Sequence, residues 1–138
     1  MGRKVLVVGL DSAPPRLIFE VFRKEMPTLS GLIERGAHGR LESTNPPITV
    51  PAWTAMMSSK DPGQLGCYGF RNRKDHSYDG YAFANSSLVK EPRLWDILGE
   101  AGKRSIILGV PQTYPPKPIV GEMVTCFLTP STKAQYTY

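Results

Sequence analysis

Two oxygen-bearing side chains, Asp11 and Thr49, are the candidates for catalysis in this sequence. Asp11 ends a short apolar run rich in β-branched residues, and Thr49 lies in a proline-rich segment just before a second apolar stretch, 51–58. A carboxylate holds a divalent cation, and a hydroxyl that contacts the same cation loses its proton near neutral pH and becomes a nucleophile. The pair therefore predicts one site that combines carboxylate, metal, alkoxide and phosphate.

Each of these residues also has a simpler interpretation. Asp11 precedes Ser-Ala-Pro-Pro, which is good helix-start chemistry, so on its own it is favoured as an N-cap. Thr49 can likewise cap the helix predicted at 51–58, although a helix N-terminus also attracts anions through its N–H groups and its dipole. Thr54 is the rival hydroxyl. It lies one turn inside that helix, where we expect it to pack or to bond back to the backbone, so we favour Thr49.

The elements that must position these side chains follow from the apolar pattern. The run 4–11 (KVLVVGLD) predicts a strand buried on both faces, as in a parallel sheet. Further strands are predicted at 39–43, with Leu41 pointing inward, at 104–110 and at 123–128. Helices are predicted at 12–22, at 28–35 with Gly36 as the C-cap, at 51–58 and from Glu91-Pro92 onward. Residues 59–90 show no periodicity and are expected to form a long loop.

This alternation predicts an α/β fold: a mostly parallel sheet flanked by helices, in one domain over residues 1–138. The length of 138 residues suits one domain, and the net charge of +5 favours anionic partners without choosing among them. Two cysteines, Cys67 and Cys126, are too few for a disulfide framework. No segment reaches the roughly 20 apolar residues needed to cross a bilayer. We therefore expect a cytoplasmic protein with no membrane partner.

Three stretches, taken in order, are similar to the amino-terminal part of the type I phosphodiesterase/nucleotide pyrophosphatase family, of the alkaline phosphatase superfamily. They read VLVVGLDSA, PPITVPAWTAMMSSKDPG and LWDILGEAGKRSIILGVPQTYPPKPIVGEMV. The order makes the match specific: a strand ending in Asp, a proline-flanked Thr before a helix, then W-D-x-L-x-x-x-G-K, a strand and V-P-x-T-Y-P-P. The similarity covers nearly the whole chain.

The resemblance implies a partial alkaline-phosphatase-like core and a hydrolase of phosphodiesters or related esters. By the same resemblance, Asp11 is a metal ligand, and Thr49 is both a metal ligand and the nucleophile that is transiently phosphorylated. The implied cofactors are two divalent metal ions, zinc or alternatively manganese, which clamp the attacking and leaving oxygens. The implied partner is a small phosphate-ester substrate.

The sequence departs from the family pattern at several positions. Where several members carry His-Gly and then an Asn that contacts the phosphoryl group, this chain has Leu65-Gly66 and Phe70. Asn72 and Arg71 are nearby candidates for that contact. The family's other metal ligands, which include an Asp-His pair, come from segments beyond this length. We therefore expect the chain to be the truncated, amino-terminal part of a larger catalytic domain, and not to form the full metal site alone.

We do not expect either histidine to supply the missing metal ligands. Asp75-His76 resembles a pair of metal ligands, but it falls in the irregular segment, so we expect His76 to be an ordinary exposed loop residue. His38 is expected to be structural or exposed to solvent.

Two other functions remain open. One is a non-catalytic, oligomerising α/β fragment that lacks the full metal site, since a truncated core leaves sheet edges uncovered. The other is nucleic-acid binding, with the basic segment 71–74 and the rings of Tyr68 and Phe70. Such a short basic segment is usually a solvated surface, so we do not expect nucleic acid as the partner.

Overall fold

The computed structural model describes residues 3–75 and 77–130. The chain divides into two compact units, Met1–Glu42 and Ser43–Tyr138. The expectation of one α/β domain over 1–138 stays a prediction. Among the described residues, none of the helices is both long enough and apolar enough to cross a bilayer.

The first unit is helical. A π-helical turn, Leu17–Val21, is followed by a 3-10 turn, Arg23–Glu25, and by helix α1, Pro27–Arg35. Proline at the start of α1 costs little, because the N–H it lacks has no partner in the first turn of a helix. Gly36 ends the helix by donating its N–H to Leu32 O at 2.8 Å, in an extended rather than a left-handed conformation. The predicted helix at 28–35 is confirmed.

Both strand predictions in this unit are wrong. The apolar run from Lys4 to Leu10 is irregular and exposed, and so is the segment 39–43, where Leu41 is 90% exposed instead of pointing inward. A β-rich composition becomes a strand only when another strand supplies ladder hydrogen bonds and a packed face. Within the described part of this unit no such partner strand forms.

The second unit begins with helix α2, Thr49–Ser58, as the sequence predicts. It continues into helix α3, Pro62–Leu65, and an antiparallel hairpin of β1, Arg71–Arg73, and β2, Tyr81–Phe83. The prediction of a structureless loop over 59–90 is therefore wrong. The short helix has its own start signal, a capping box in which Asp61 and Gln64 each accept the other's backbone N–H, at 2.8 and 3.2 Å.

Helix α4, Leu94–Glu100, precedes strand β3, Ser105–Leu108, which pairs in parallel with β4, Gly121–Val124. The register sets Ser105 opposite Gly121, whose φ of 140° no other residue adopts easily. A Cβ at that position would lie 1.8 Å from Ser105 O, so only glycine permits this close approach. The α/β character and one parallel pair are as expected, but the described sheets have two strands each, short of a mostly parallel central sheet.

Helix α2 contributes to both hydrophobic clusters of this unit. Val50 packs in the first cluster, together with Leu65, Cys67, Ala84 and Val89. Met57 packs in the second, together with Trp95, Ile107 and Met123. Because the two ends of α2 are anchored in different clusters, the helix N-terminus is held firmly in place, and the residue at that N-terminus is Thr49.

Candidate active site

Thr49 is the first residue of α2 and is half-buried. The flanking residue Ile48 is extended, and no side chain caps the helix from that position. The N-terminus of a ten-residue helix carries partial positive charge and attracts anions. Thr49 therefore lies at a position that favours an anionic group such as a phosphoryl group.

The residues around Thr49 fix the start of the helix. Ile48 donates its N–H to Pro46 O at 3.0 Å, and the Thr44 hydroxyl donates to the same oxygen at 2.9 Å. Val50 and Pro51, which follow Thr49, are both fully buried. The turn before Thr49 and the core after it together position the threonine on a rigid element, as a nucleophile requires.

Thr54 is placed as the sequence predicts. Its side chain is buried, and its Oγ1 donates a 2.7 Å hydrogen bond to Val50 O in the preceding turn. Ser58 repeats the pattern by donating to Thr54 O, also at 2.7 Å. These bonds satisfy the buried hydroxyls inside α2, and the burial of Thr54 disfavours it as the attacking group.

Asp11 lies in the first unit, exposed, in a turn with Ser12. The helical turn that follows begins with hydrogen bonds from Leu17 and Ile18 N–H to Pro14 O. That Asp11 caps this turn stays a prediction. Ser12 has a φ of 55°, a left-handed conformation that is uncommon for a residue with a side chain. That Asp11 and Thr49 contact one cation stays a prediction.

The two candidates for the phosphoryl contact, Asn72 and Arg71, have different surroundings. The Asn72 amide is buried and already engaged: its Oδ1 accepts from Tyr68 N–H, and its Nδ2 donates to Gly69 O, both at 2.8 Å. The Arg71 guanidinium lies over the Phe83 ring, 5.6 Å from its centre. Leu65, at the family's histidine position, is buried in the core.

The described residues do not fit a complete metal centre. A zinc ion takes about three protein ligands in a catalytic site, and no three His, Cys, Asp or Glu side chains of the described chain are grouped closely enough. The His38 ring packs against Phe19, 5.6 Å between centres, and is exposed, as expected. Hydrogen bonds from the Ser77 hydroxyl and N–H lower the pKa of the exposed Asp75 carboxyl. Its neighbour His76 lies outside the described residues.

The comparisons with known proteins identify the family. The family model for type I phosphodiesterase / nucleotide pyrophosphatase matches residues 5–137. No curated protein and no solved structure matches the chain. The family suggests phosphodiesterase- or pyrophosphatase-type hydrolysis of phosphate esters and is generally metal-dependent. Because the match extends over most of the sequence, the chain belongs to the type I phosphodiesterase / nucleotide pyrophosphatase family.

Proposed function

We propose that this chain carries the nucleophile of a metal-dependent phosphoesterase, and that Thr49 attacks a phosphodiester or related phosphate ester. The observation that carries the proposal is the position of Thr49, first in a helix whose N-terminus no side chain caps from Ile48. The rival hydroxyl of Thr54 is engaged with Val50 O. Thr49 therefore has both the reactive group and an environment that favours an anion.

The reaction proceeds in two displacements. Thr49 Oγ1 forms a bond to phosphorus while the bond to the leaving oxygen breaks, and the leaving group takes a proton. Water then attacks the phosphothreonine, the bond between Oγ1 and phosphorus breaks, and the threonine regains its proton. The N-terminus of α2 stabilises negative charge on the phosphoryl oxygens in both steps. A divalent cation, zinc or manganese, would supply the positive charge that makes a threonine hydroxyl acidic enough to react.

Asp11 is proposed as one ligand of that cation. In support, Asp11 is exposed and lies in a turn with Ser12. The left-handed Ser12 beside it costs on the order of 1–3 kcal/mol, and such strain is concentrated at functional sites. Two oxygen donors are too few for a metal centre, so the cation requires further ligands besides Asp11 and Thr49.

The experiment detects the covalent phosphothreonine intermediate. The chain is incubated with an activated aryl phosphodiester and zinc or manganese, quenched in acid and examined by intact mass and peptide mapping. We expect product release together with a phosphoryl adduct on Thr49, both lost in Thr49→Ala. In Asp11→Asn, calorimetric titration should show metal affinity weakened by more than about 10-fold, the smallest loss typical even of a group that only orients a ligand. An adduct on another residue, or hydrolysis unchanged in Thr49→Ala, would contradict the proposal.

A non-catalytic, oligomerising module is the second candidate. It is motivated by strand β3, where Ile106 and Leu108 are 69% and 70% exposed on a sheet that has only two strands in the described chain. Such an apolar sheet face favours association. Light scattering would support this candidate if it shows dimers or larger species that Ile106→Lys converts to monomers. A monomer at all concentrations would contradict it.

The cytoplasmic location is also a proposal. Cys67 and Cys126 are both unpaired and buried, as is usual in a reducing compartment.

A further inference from the structure

The hairpin of β1 and β2 has one face directed to solvent, and that face is composed of cations and aromatic rings. Arg71 stands opposite Phe83 and Arg73 opposite Tyr81. All four are exposed, whereas Asn72, between the arginines, is buried. We call these four residues the hairpin face. On an ordinary exposed sheet face, polar residues predominate, so two exposed rings beside two guanidiniums call for an explanation.

The rings and the guanidiniums are already arranged for stacking. The Arg71 guanidinium lies 5.6 Å from the centre of the Phe83 ring, and the Arg73 guanidinium lies 4.1 Å from the centre of the Tyr78 ring. Phe83 and Tyr81 nevertheless remain 72% and 54% exposed. Within the described part of this unit, neither arginine forms an ion pair. Both cations therefore stay available to an anion from solution.

The face is also rigidly supported. The Asn72 amide holds the turn before β1 through its bonds to Tyr68 N–H and Gly69 O. The ladder continues past both ends of the paired strands: Lys74 N–H bonds to Gly80 O at 3.0 Å and Ala84 N–H to Phe70 O at 2.9 Å. A preorganised surface of this kind loses little conformational entropy when it binds a ligand.

We propose that the hairpin face is a docking surface for single-stranded nucleic acid. Successive residues on one face of a strand are about 7 Å apart, so the two cross-strand pairs, Arg71 with Phe83 and Arg73 with Tyr81, have a spacing that suits two successive nucleotides. Each ring stacks on a base, which every base allows because each has a π-face, and each guanidinium contacts a phosphate. The inference goes beyond the hydrolase proposed above, since it uses neither Thr49 nor Asp11.

An anionic membrane is the main competing partner, and the tip of the hairpin argues against it. Asp75 and Asp79 lie between the two strands, both exposed, with carboxylates that an anionic lipid surface would repel. A nucleic acid that lies along the side of the strands avoids the tip. In the sequence, the basic segment alone does not favour a nucleic-acid partner, because only the strand register shows that Tyr81 and Phe83 lie opposite the arginines.

The test measures fluorescence anisotropy of a labelled oligothymidine of about 15 nucleotides, near the upper site size of such surfaces. The full chain is used with a chelator present, so that binding is separated from hydrolysis. We expect Phe83→Ala and Tyr81→Ala each to weaken binding by about 5- to 100-fold. Arg71→Ala and Arg73→Ala should each flatten the plot of log affinity against log salt by about 0.7. Lys103→Ala, which removes an equal charge from an exposed site elsewhere, should leave affinity within about twofold.

Circular dichroism of each variant confirms that the hairpin variants remain folded. The proposal is overturned if the wild-type chain does not bind the oligonucleotide at about 50 mM salt. It is equally overturned if the ring variants bind as well as wild type, since binding would then be diffuse charge attraction. Co-sedimentation with phosphatidylserine vesicles in place of oligonucleotide binding would assign the face to membranes instead.

Discussion

The Thr54 hydroxyl donates to the carbonyl oxygen of Val50 across one helical turn, at 2.7 Å. The bond satisfies a buried hydroxyl in a helix whose first residue is the other threonine of the segment, Thr49. Two threonines five positions apart in one segment thus have different environments. The inner one is buried and bonds back to the backbone, and the outer one lies at the helix N-terminus, where the dipole favours an anion.

Substitution of the two threonines should separate activity from stability. Thr49→Val should abolish metal-dependent hydrolysis of an aryl phosphodiester, while Thr49→Ser, which keeps a hydroxyl, should retain a measurable fraction. Thr54→Val should leave the rate within about twofold but change the free energy of unfolding by roughly 1 kcal/mol, the net contribution of a typical hydrogen bond. Steady-state kinetics and urea unfolding provide the two measurements.

The opposite pattern, with hydrolysis lost in Thr54→Val and kept in Thr49→Val, would exchange the two roles. A Thr49→Val chain that no longer unfolds cooperatively would show only that the helix start is structural, which is why Thr49→Ser is measured beside it.

The elements of the second unit were easier to predict than those of the first because their signals are local. Helix α2 and strand β3 follow from short apolar patterns with clear ends. The run from Lys4 to Leu10 has equally strong β composition, yet it is irregular and exposed, because a strand also requires a partner at long range. Helix α3 was missed although Asp61-Pro62 and Gln64 mark its start, since its four residues are too few to show a period.

Residue type and position relative to the predicted helix were enough to select the candidate residues. The preference for Thr49 over Thr54 followed from their positions relative to the start of the helix, and the expected back-bonding of Thr54 is confirmed. The role of Asn72 was not predictable, because an amide that closes its own turn looks the same in sequence as an amide free to bind phosphate. The rings of Tyr81 and Phe83 were missed for a similar reason: strand register, not sequence distance, sets them opposite arginines.

Arg93 should be important for the stability of the second unit. It is the buried cation at the start of α4: its Nε lies 3.3 Å from Asp96 Oδ2, its NH1 lies 3.3 Å from Gln112 O, and its guanidinium lies over the Trp95 ring. Arg93→Leu should lower the free energy of unfolding by about 2–3 kcal/mol, because it leaves the Gln112 carbonyl and the Asp96 carboxylate short of a donor.

The matched control is Arg104→Leu, which removes an exposed arginine that pairs with Glu122. An exposed ion pair contributes at most about 1 kcal/mol, so urea midpoints should differ clearly between the two variants. Equal losses would mean that burial of Arg93 adds nothing.

Gly121 should tolerate no side chain. Its φ of 140° and its approach to Ser105 O leave no space for a Cβ, so Gly121→Ala should disrupt the pairing of β3 with β4. We expect thermal unfolding to begin well below the wild-type transition, with loss of near-ultraviolet dichroism. Gly102→Ala provides the comparison: Gly102 also has a positive φ, 66°, but open space around it, so it should cost only about 1–2 kcal/mol. If both variants lost similar stability, the positive φ and not the close approach to Ser105 O would explain the loss in Gly121→Ala.

Cys67 should make the fold sensitive to alkaline pH. Its side chain is fully buried, and burial raises the pKa of its thiol above the ordinary value of 9.0, against weaker opposition from hydrogen bonds with Thr54, Gln112 and Gly69. Above pH 9.0 the unfolded chain loses this proton before the folded chain does. The stabilisation is therefore complete below pH 9.0 and is lost as the pH rises through the folded pKa.

Urea unfolding at a series of pH values on both sides of 9.0 measures the effect. The free energy of unfolding should fall with pH in the wild-type chain and fall less in Cys67→Ala. Val89→Ala, which shortens a buried side chain of the same cluster that has no titratable group, should retain the full slope. Because Lys117 is present in all three chains, its own titration, with a pKa lowered by burial and by Arg93, cancels in the comparison. A slope unchanged in Cys67→Ala would show that another group causes the alkaline loss.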